Sequence, residues 1–167
     1  MMVSPKRSPR LSHVDDAGRP RMVDVSAKAD TAREAVAKGS VYMNAETLRL
    51  IVSGGTAKGD VLTTAQLAGT MAAKRTHELI PLCHPLALTG IDVSLEPDEK
   101  RRAIDITATV RTTGKTGVEM EALTAVSIAA LTVYDMIKAV QRDARISNIR
   151  LIEKHGGKSG DYAASDK

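Results

Sequence analysis

Asp135 and Lys138 are the most chemically suggestive pair in this chain. They end an uncharged stretch, Ala122 to Tyr134, that reads as helix. Three residues apart on a helix, they share one face about a turn from each other. Two readings stand level. They form an ion pair where the helix emerges into water, or an acid/base pair whose members shift each other's proton affinity. Lys58, in Gly-Gly-Thr-Ala-Lys-Gly-Asp, has two readings as well. A solvated loop lysine is the commoner fate. A lysine held near a charge can give or take a proton, and flanking glycines allow close approach of a ligand.

Cys83 and His84 sit in Pro81-Leu82-Cys83-His84-Pro85. Two prolines stiffen that loop, which can aim His84 into a cleft as hydrogen-bond donor or general acid. His77, Cys83 and His84 do not have the spacing of a zinc site, so no metal is expected. Gly114-Lys115-Thr116-Gly117 and Gly157-Lys158-Ser159 lack the earlier glycine of a phosphate loop, with Thr109 and Ile152 in its place. A Gly turn carrying a Lys before a helix N-terminus can still hold an anion. Glu119 and Glu121 read first as partners of the helix dipole.

These residues need a scaffold. Val41 to Met43 predicts a short strand. Asn44 caps a helix over Ala45 to Val52 that stops at Gly54-Gly55. Asp60 caps a second helix from Val61 to about His77. Ile91, Val93 and Leu95 alternate with polar residues, as do Ile104, Ile106, Ala108 and Val110. The Pro97 to Lys100 turn between them makes a hairpin. A long buried helix runs from Val118 to about Arg142, and Ile149 and Leu151 mark a last strand. This order predicts an α+β fold: a ferredoxin-like antiparallel sheet with helices packed on one face. Residues 1–10 read as a disordered basic extension, 11–157 as a single domain and 158–167 as a flexible tail.

Composition narrows the function. The chain has 167 residues, no Phe or Trp, three Tyr and a formal net charge of +4. One cysteine excludes an internal disulfide framework and points to a cytoplasmic setting. No uncharged run approaches the roughly 20 residues of a membrane span, and no signal peptide is visible at the N-terminus. The positive charge favours anionic ligands such as phosphates. A nucleotide- or RNA-binding module is the main non-enzymatic alternative. The near absence of aromatic stacking platforms weighs against it. From the residues alone, the chain handles a small phosphorylated molecule through Lys, Asp and His.

Seven strings in order are far more specific. They are Met22-Val-Asp-Val-Ser26, Lys58-Gly-Asp-Val61, Ala73-Lys-Arg-Thr76, Leu79-Ile-Pro-Leu-Cys-His-Pro-Leu86, Thr113-Gly-Lys-Thr-Gly-Val-Glu-Met-Glu-Ala-Leu123, Tyr134-Asp-Met-Ile-Lys-Ala-Val-Gln141 and Gly156-Gly-Lys-Ser-Gly-Asp161. Together, from about Leu11 to Tyr162, the chain resembles the cyclic pyranopterin monophosphate synthase family, the C protein of molybdenum cofactor biosynthesis. The resemblance implies a lyase. It would convert 3′,8-cyclo-7,8-dihydro-GTP, supplied by a radical GTP 3′,8-cyclase, to cyclic pyranopterin monophosphate and release pyrophosphate. It implies catalytic roles for Asp135, Lys58 and Lys138. It implies substrate binding by Leu82, Cys83, His84, Glu119, Met120 and Glu121. Arg33, Lys74, Arg75 and Lys154 are further candidates for the triphosphate. It also implies a homohexamer, a trimer of dimers with each active site at a dimer interface. No cofactor, nucleic acid or membrane partner is expected.

Overall fold

The computed structural model describes Val14 and residues 17–165. The basic extension expected over residues 1–10 lies outside them. The elements follow in the order β1 (Thr31–Tyr42), α1 (Ala45–Val52), α2 (Val61–Lys74), α3 (Thr76–Leu79), β2 (Leu88–Asp98), β3 (Ala103–Gly114), α4 (Glu119–Ile137), β4 (Arg145–His155) and β5 (Tyr162–Ala163). The strands form one antiparallel sheet in the order β2-β3-β1-β4-β5. With α2 and α4 packed on one face, the fold is the expected α+β, ferredoxin-like one.

β1 is the centre of the sheet and is much longer than its sequence suggests. Only Val41 to Met43 reads as strand, because the inward positions before them are Ala35, Ala37 and Gly39. Small residues have little strand preference. They are small because α4 crosses directly above. A Cβ on Gly39 would lie 2.7 Å from Val126 Cγ1 and 3.0 Å from Ile149 Cγ1. The opposing strand supplies the bulk, since Ile104, Ile106 and Val110 are fully buried.

The caps act as their sequences predict. Asn44 Oδ1 accepts from Thr47 N at 2.7 Å, and Asp60 Oδ1 accepts from Thr63 N at 3.0 Å. α2 ends at Lys74 rather than near His77. Arg75 leaves helical geometry, and the buried Thr76 hydroxyl donates back to Ala73 O at 3.1 Å. α4 ends at Ile137, short of Arg142. The next residues turn back to enter β4, and Tyr134 donates its hydroxyl to Arg142 O at 2.8 Å.

α4 meets the length and apolar composition of a membrane span. Its buried residues, among them Ala122, Ala125, Val126, Ala129 and Val133, instead form the centre of the core. α2 lies close against it, with Gly69 facing Ala125 O at the contact. Residues 158–165, for which the sequence predicts no regular element, contain a two-residue strand. Its Tyr162 pairs with Lys154 on β4. The sheet face opposite the helices is polar. There Arg111 bridges Glu34 and Asp92, each at 2.6 Å.

Candidate active site

The candidate residues fall into two groups, one at each end of α4. Lys58 lies in the loop before α2, which a positive φ at Gly59 turns sharply. Its Nζ donates to Asp135 Oδ2 at 2.7 Å and to the Asp135 carbonyl at 2.9 Å. Lys138, the C-cap of α4, pairs with Asp135 Oδ1 at 2.6 Å. Both carboxylate oxygens are therefore occupied. Hydrogen bonds from Lys138 and then Lys58 hold the Asp135 carboxyl down at about 2, and Asp135 in turn raises Lys138. All three side chains are about half exposed. The spacing argument from the sequence identified the Asp135–Lys138 pair. It could not bring in Lys58, 77 positions away.

The second group surrounds the N-terminus of α4. The loop from Pro81 to Pro85 places Cys83 Sγ 3.5 Å from Glu121 Oε1. Burial, reinforced by the nearby Glu121 carboxyl, pushes the Cys83 thiol up to about 11. Glu121 is only 3% exposed, and its Oε2 has no hydrogen-bond partner among the described residues. Burial raises its proton affinity. His84 Nε2 lies 2.8 Å from Val23 O. Leu82 is half-buried, Glu119 packs against Gly117, and Met120 is exposed.

Four basic residues belong to this same end. Arg33 Nε donates to Gly114 O at 2.8 Å and its Nη2 to Lys115 O at 3.1 Å. Arg33 thus braces the turn before α4. Lys154 is 8% exposed, and its Nζ donates to Ser159 Oγ and Gly160 O, both at 2.6 Å. It holds the glycine-rich loop 156–160, whose Gly156, Gly157 and Gly160 all have positive φ. Gly156 and Gly157 press on Ala32 O and on the Arg33 guanidinium, where any side chain would collide. Lys74 and Arg75 are exposed at the C-terminal end of α2. Among the described residues, no three His, Cys, Asp or Glu side chains gather as metal ligands.

The fourteen residue steps from Glu121 to Asp135 span about 21 Å of helix axis. One chain therefore does not bring the two groups together. Sequence reasoning singled out Lys115 as a possible anion holder but missed its reach back to Ser26 O at 2.8 Å. The Asp24-x-Ser26 pattern, a side-chain-closed turn, was the available signal for that contact.

The MoaC family model matches residues 22–157. The chain belongs to the MoaC family. A relative from Chloroflexus aggregans, named cyclic pyranopterin monophosphate synthase, is 65% identical over 153 residues, covering 92% of this chain and 93% of its own. One from Heliobacterium modesticaldum with the same name is 61% identical over 152 residues, covering 91% and 96%. A third, from Brucella ovis and also so named, is 58% identical over 159 residues, covering 95% and 96%. The MoaC match begins at Met22 and ends at Gly157, so it includes both ends of α4 and the first glycines of the C-terminal loop.

Proposed function

We infer that this MoaC-family chain is a cyclic pyranopterin monophosphate synthase. It rearranges 3′,8-cyclo-7,8-dihydro-GTP to cyclic pyranopterin monophosphate and expels pyrophosphate. The observation that carries the reading is the Lys58–Asp135–Lys138 cluster, built within a sequence alike over more than nine-tenths of its length to relatives of that name.

The cluster suits the chemistry. Two ammonium groups around one carboxylate leave a net positive charge. Each ammonium has three N–H donors. Lys58 spends two on Asp135 and Lys138 spends one, so three donors remain for substrate oxygens. Attack of a ribose hydroxyl on the α-phosphorus forms the cyclic phosphate and breaks the bond to pyrophosphate. Negative charge grows on the leaving group, and fixed cations stabilise it. Opening one ring and closing another also need proton transfers, which ammonium groups can supply. Asp135, with both oxygens engaged and its carboxyl held near 2, acts as the anchor of the two lysines rather than as a resting base.

Leu82, Cys83, His84, Glu119, Met120 and Glu121 take the ring system, and Arg33, Lys74, Arg75 and Lys154 lie towards the triphosphate. The 21 Å between the groups exceeds what one nucleotide-sized substrate bridges along a single helix. Two copies placed antiparallel bring the N-terminal end of one α4 to the C-terminal end of the other. This supports an active site shared across a dimer. The homohexamer, a trimer of such dimers, is what the family resemblance implies. The substrate comes from a radical GTP 3′,8-cyclase, and the setting is cytoplasmic.

The test is turnover of the cyclised dihydro-GTP by the purified chain, following pyrophosphate and the oxidised fluorescent pterin together. Equal amounts of both products, with neither formed by Asp135→Ala, support the reading. Binding of the intermediate without either product by the unmodified chain refutes it.

A further inference from the structure

Met22–Ser26 is one of the ordered strings of this sequence, yet the reaction scheme gives it no work. The segment precedes β1 and forms no regular element. Its own side chains close it into a turn. Ser26 donates to Asp24 Oδ1 from its backbone N at 2.8 Å and from its hydroxyl at 2.6 Å. Lys28 N donates to Val25 O at 3.0 Å. Lys115, from the loop between β3 and α4, fastens the turn by donating its Nζ to Ser26 O at 2.8 Å. The anchored turn presents Val23 O to His84 Nε2 at 2.8 Å.

A backbone carbonyl only accepts, so Nε2 carries the proton of the neutral imidazole. Nδ1 then keeps its lone pair, and it makes no hydrogen bond among the described residues. The ring is half-buried between the stiff Pro81–Pro85 loop and the turn, which limits its rotation.

We propose that Met22–Ser26 is a positioning strap that pins His84 through Nε2–H and leaves Nδ1 as a hydrogen-bond acceptor for an N–H or O–H of the substrate. Asp24 and Lys115 are positioning residues that act through His84. The strap rests on the reading of the Pro81–Pro85 loop as a substrate loop. In the neutral imidazole held this way, Nδ1 faces substrate as an acceptor and not as a donor. The strap also gives Lys115 a task other than gripping phosphate.

The full chain labelled with 15N-histidine tests the strap. The ring N–H proton of His84, assigned by its loss in His84→Gln, should sit on Nε2 and exchange slowly with water. Lys115→Met should speed that exchange by about tenfold or more, and Lys115→Arg should restore protection. Asp24→Ala loosens the same turn from its other side and serves if Lys115→Met does not fold. In turnover, Lys115→Met should lower kcat/KM about tenfold, yet add nothing in a His84→Gln background. An unchanged ring proton in both strap variants, or additive losses in the double variant, overturns the proposal. Ring exchange needs no turnover. A chain that releases no pyrophosphate but whose ring proton still responds to Lys115→Met refutes the reaction and retains the strap.

Discussion

Lys58 and Asp135, 77 positions apart, are joined twice: the lysine Nζ donates to the carboxylate at 2.7 Å and to the carbonyl of the same residue at 2.9 Å. The second bond ties Lys58 to the backbone at the end of α4, where the last carbonyls of a helix lack intrahelical donors. The ammonium also sits at the negative end of the helix dipole. Its position is therefore set by the helix end as well as by one flexible side chain. Lys138 adds the opposite oxygen at 2.6 Å.

That arrangement fixes a pH expectation. Asp135 titrates at about 2, below the ordinary 3.8, so its depressed value stabilises the fold above pH 4. The contribution fades as pH falls from about 4 through 2. Carboxyl 13C shifts should report a midpoint near 2 for Asp135. Lys138→Met should move it upward, because it deletes the largest cause of the depression. A midpoint unchanged in Lys138→Met would show the pairing absent in solution. Asp135→Asn should cut turnover by about 10²-fold or more, as expected when a group positioning proton donors loses its charge.

Glu121 behaves in the opposite sense. Its proton affinity is raised by burial, so the folded chain holds that proton more tightly than the unfolded one. Stability therefore falls as pH rises above the unfolded value of about 4.5. Glu121→Gln should be more stable than the parent at pH 7 to 8, with the gap closing below pH 4.5. Denaturant midpoints at the two pH values decide it. The reverse order would mean that Glu121 is ionised and paired in the fold.

Cys83 gives a chemical readout of the same contact. With its thiol near 11, about one part in a thousand is thiolate at pH 8. Alkylation by iodoacetamide should run about a hundredfold slower than for a free cysteine. Glu121→Gln should speed it, because the Glu121 carboxyl contributes to the shift. Equal rates in the two chains would remove the Cys83–Glu121 contact from the account.

Much of this was legible in the sequence, and the omissions share a cause. Asn44 and Asp60 announce their helices because capping is local chemistry. The hairpin of β2 and β3 is equally local. β1 was hidden because Gly39 and its alanine neighbours were chosen by α4 above them, a tertiary demand with no local signature. The same holds for the site. Asp135 and Lys138 are readable at helical spacing, whereas Lys58 and the hold of Lys115 on Ser26 exist only once the fold brings distant loops together.

Gly69 shows such a tertiary demand overruling a local preference. Replacing a helical Gly by Ala gains about 1 kcal/mol in propensity. Here the new Cβ would meet Ala125 O at 2.9 Å and Ala129 Cβ at 3.3 Å. The first contact is backbone and cannot swing aside, so overpacking of about 1–3 kcal/mol should win. Gly69→Ala should melt lower than the parent. A higher melting temperature would mean that α2 and α4 separate without cost.

The separation of the two groups along α4 yields the most decisive expectation. Asp135→Ala and His84→Ala chains should each lose nearly all activity alone, because each damages one half of every site. If each site draws Asp135 from one copy and His84 from the other, mixing the two variants restores it. Random re-association of equal amounts makes half of the dimers mixed. In each mixed dimer one site receives both intact halves and the other receives neither. The mixture should therefore recover roughly a quarter of the parental activity, as the two-fold symmetry of a shared site requires. The variants must be mixed under mild denaturant and returned to buffer, so that subunits exchange. If every site lies within one chain, each mixed dimer still contains only damaged sites, and no activity returns. Recovery near a quarter, lost when both substitutions sit on the same chain and are mixed with themselves, would place the opposite ends of two α4 helices around one substrate.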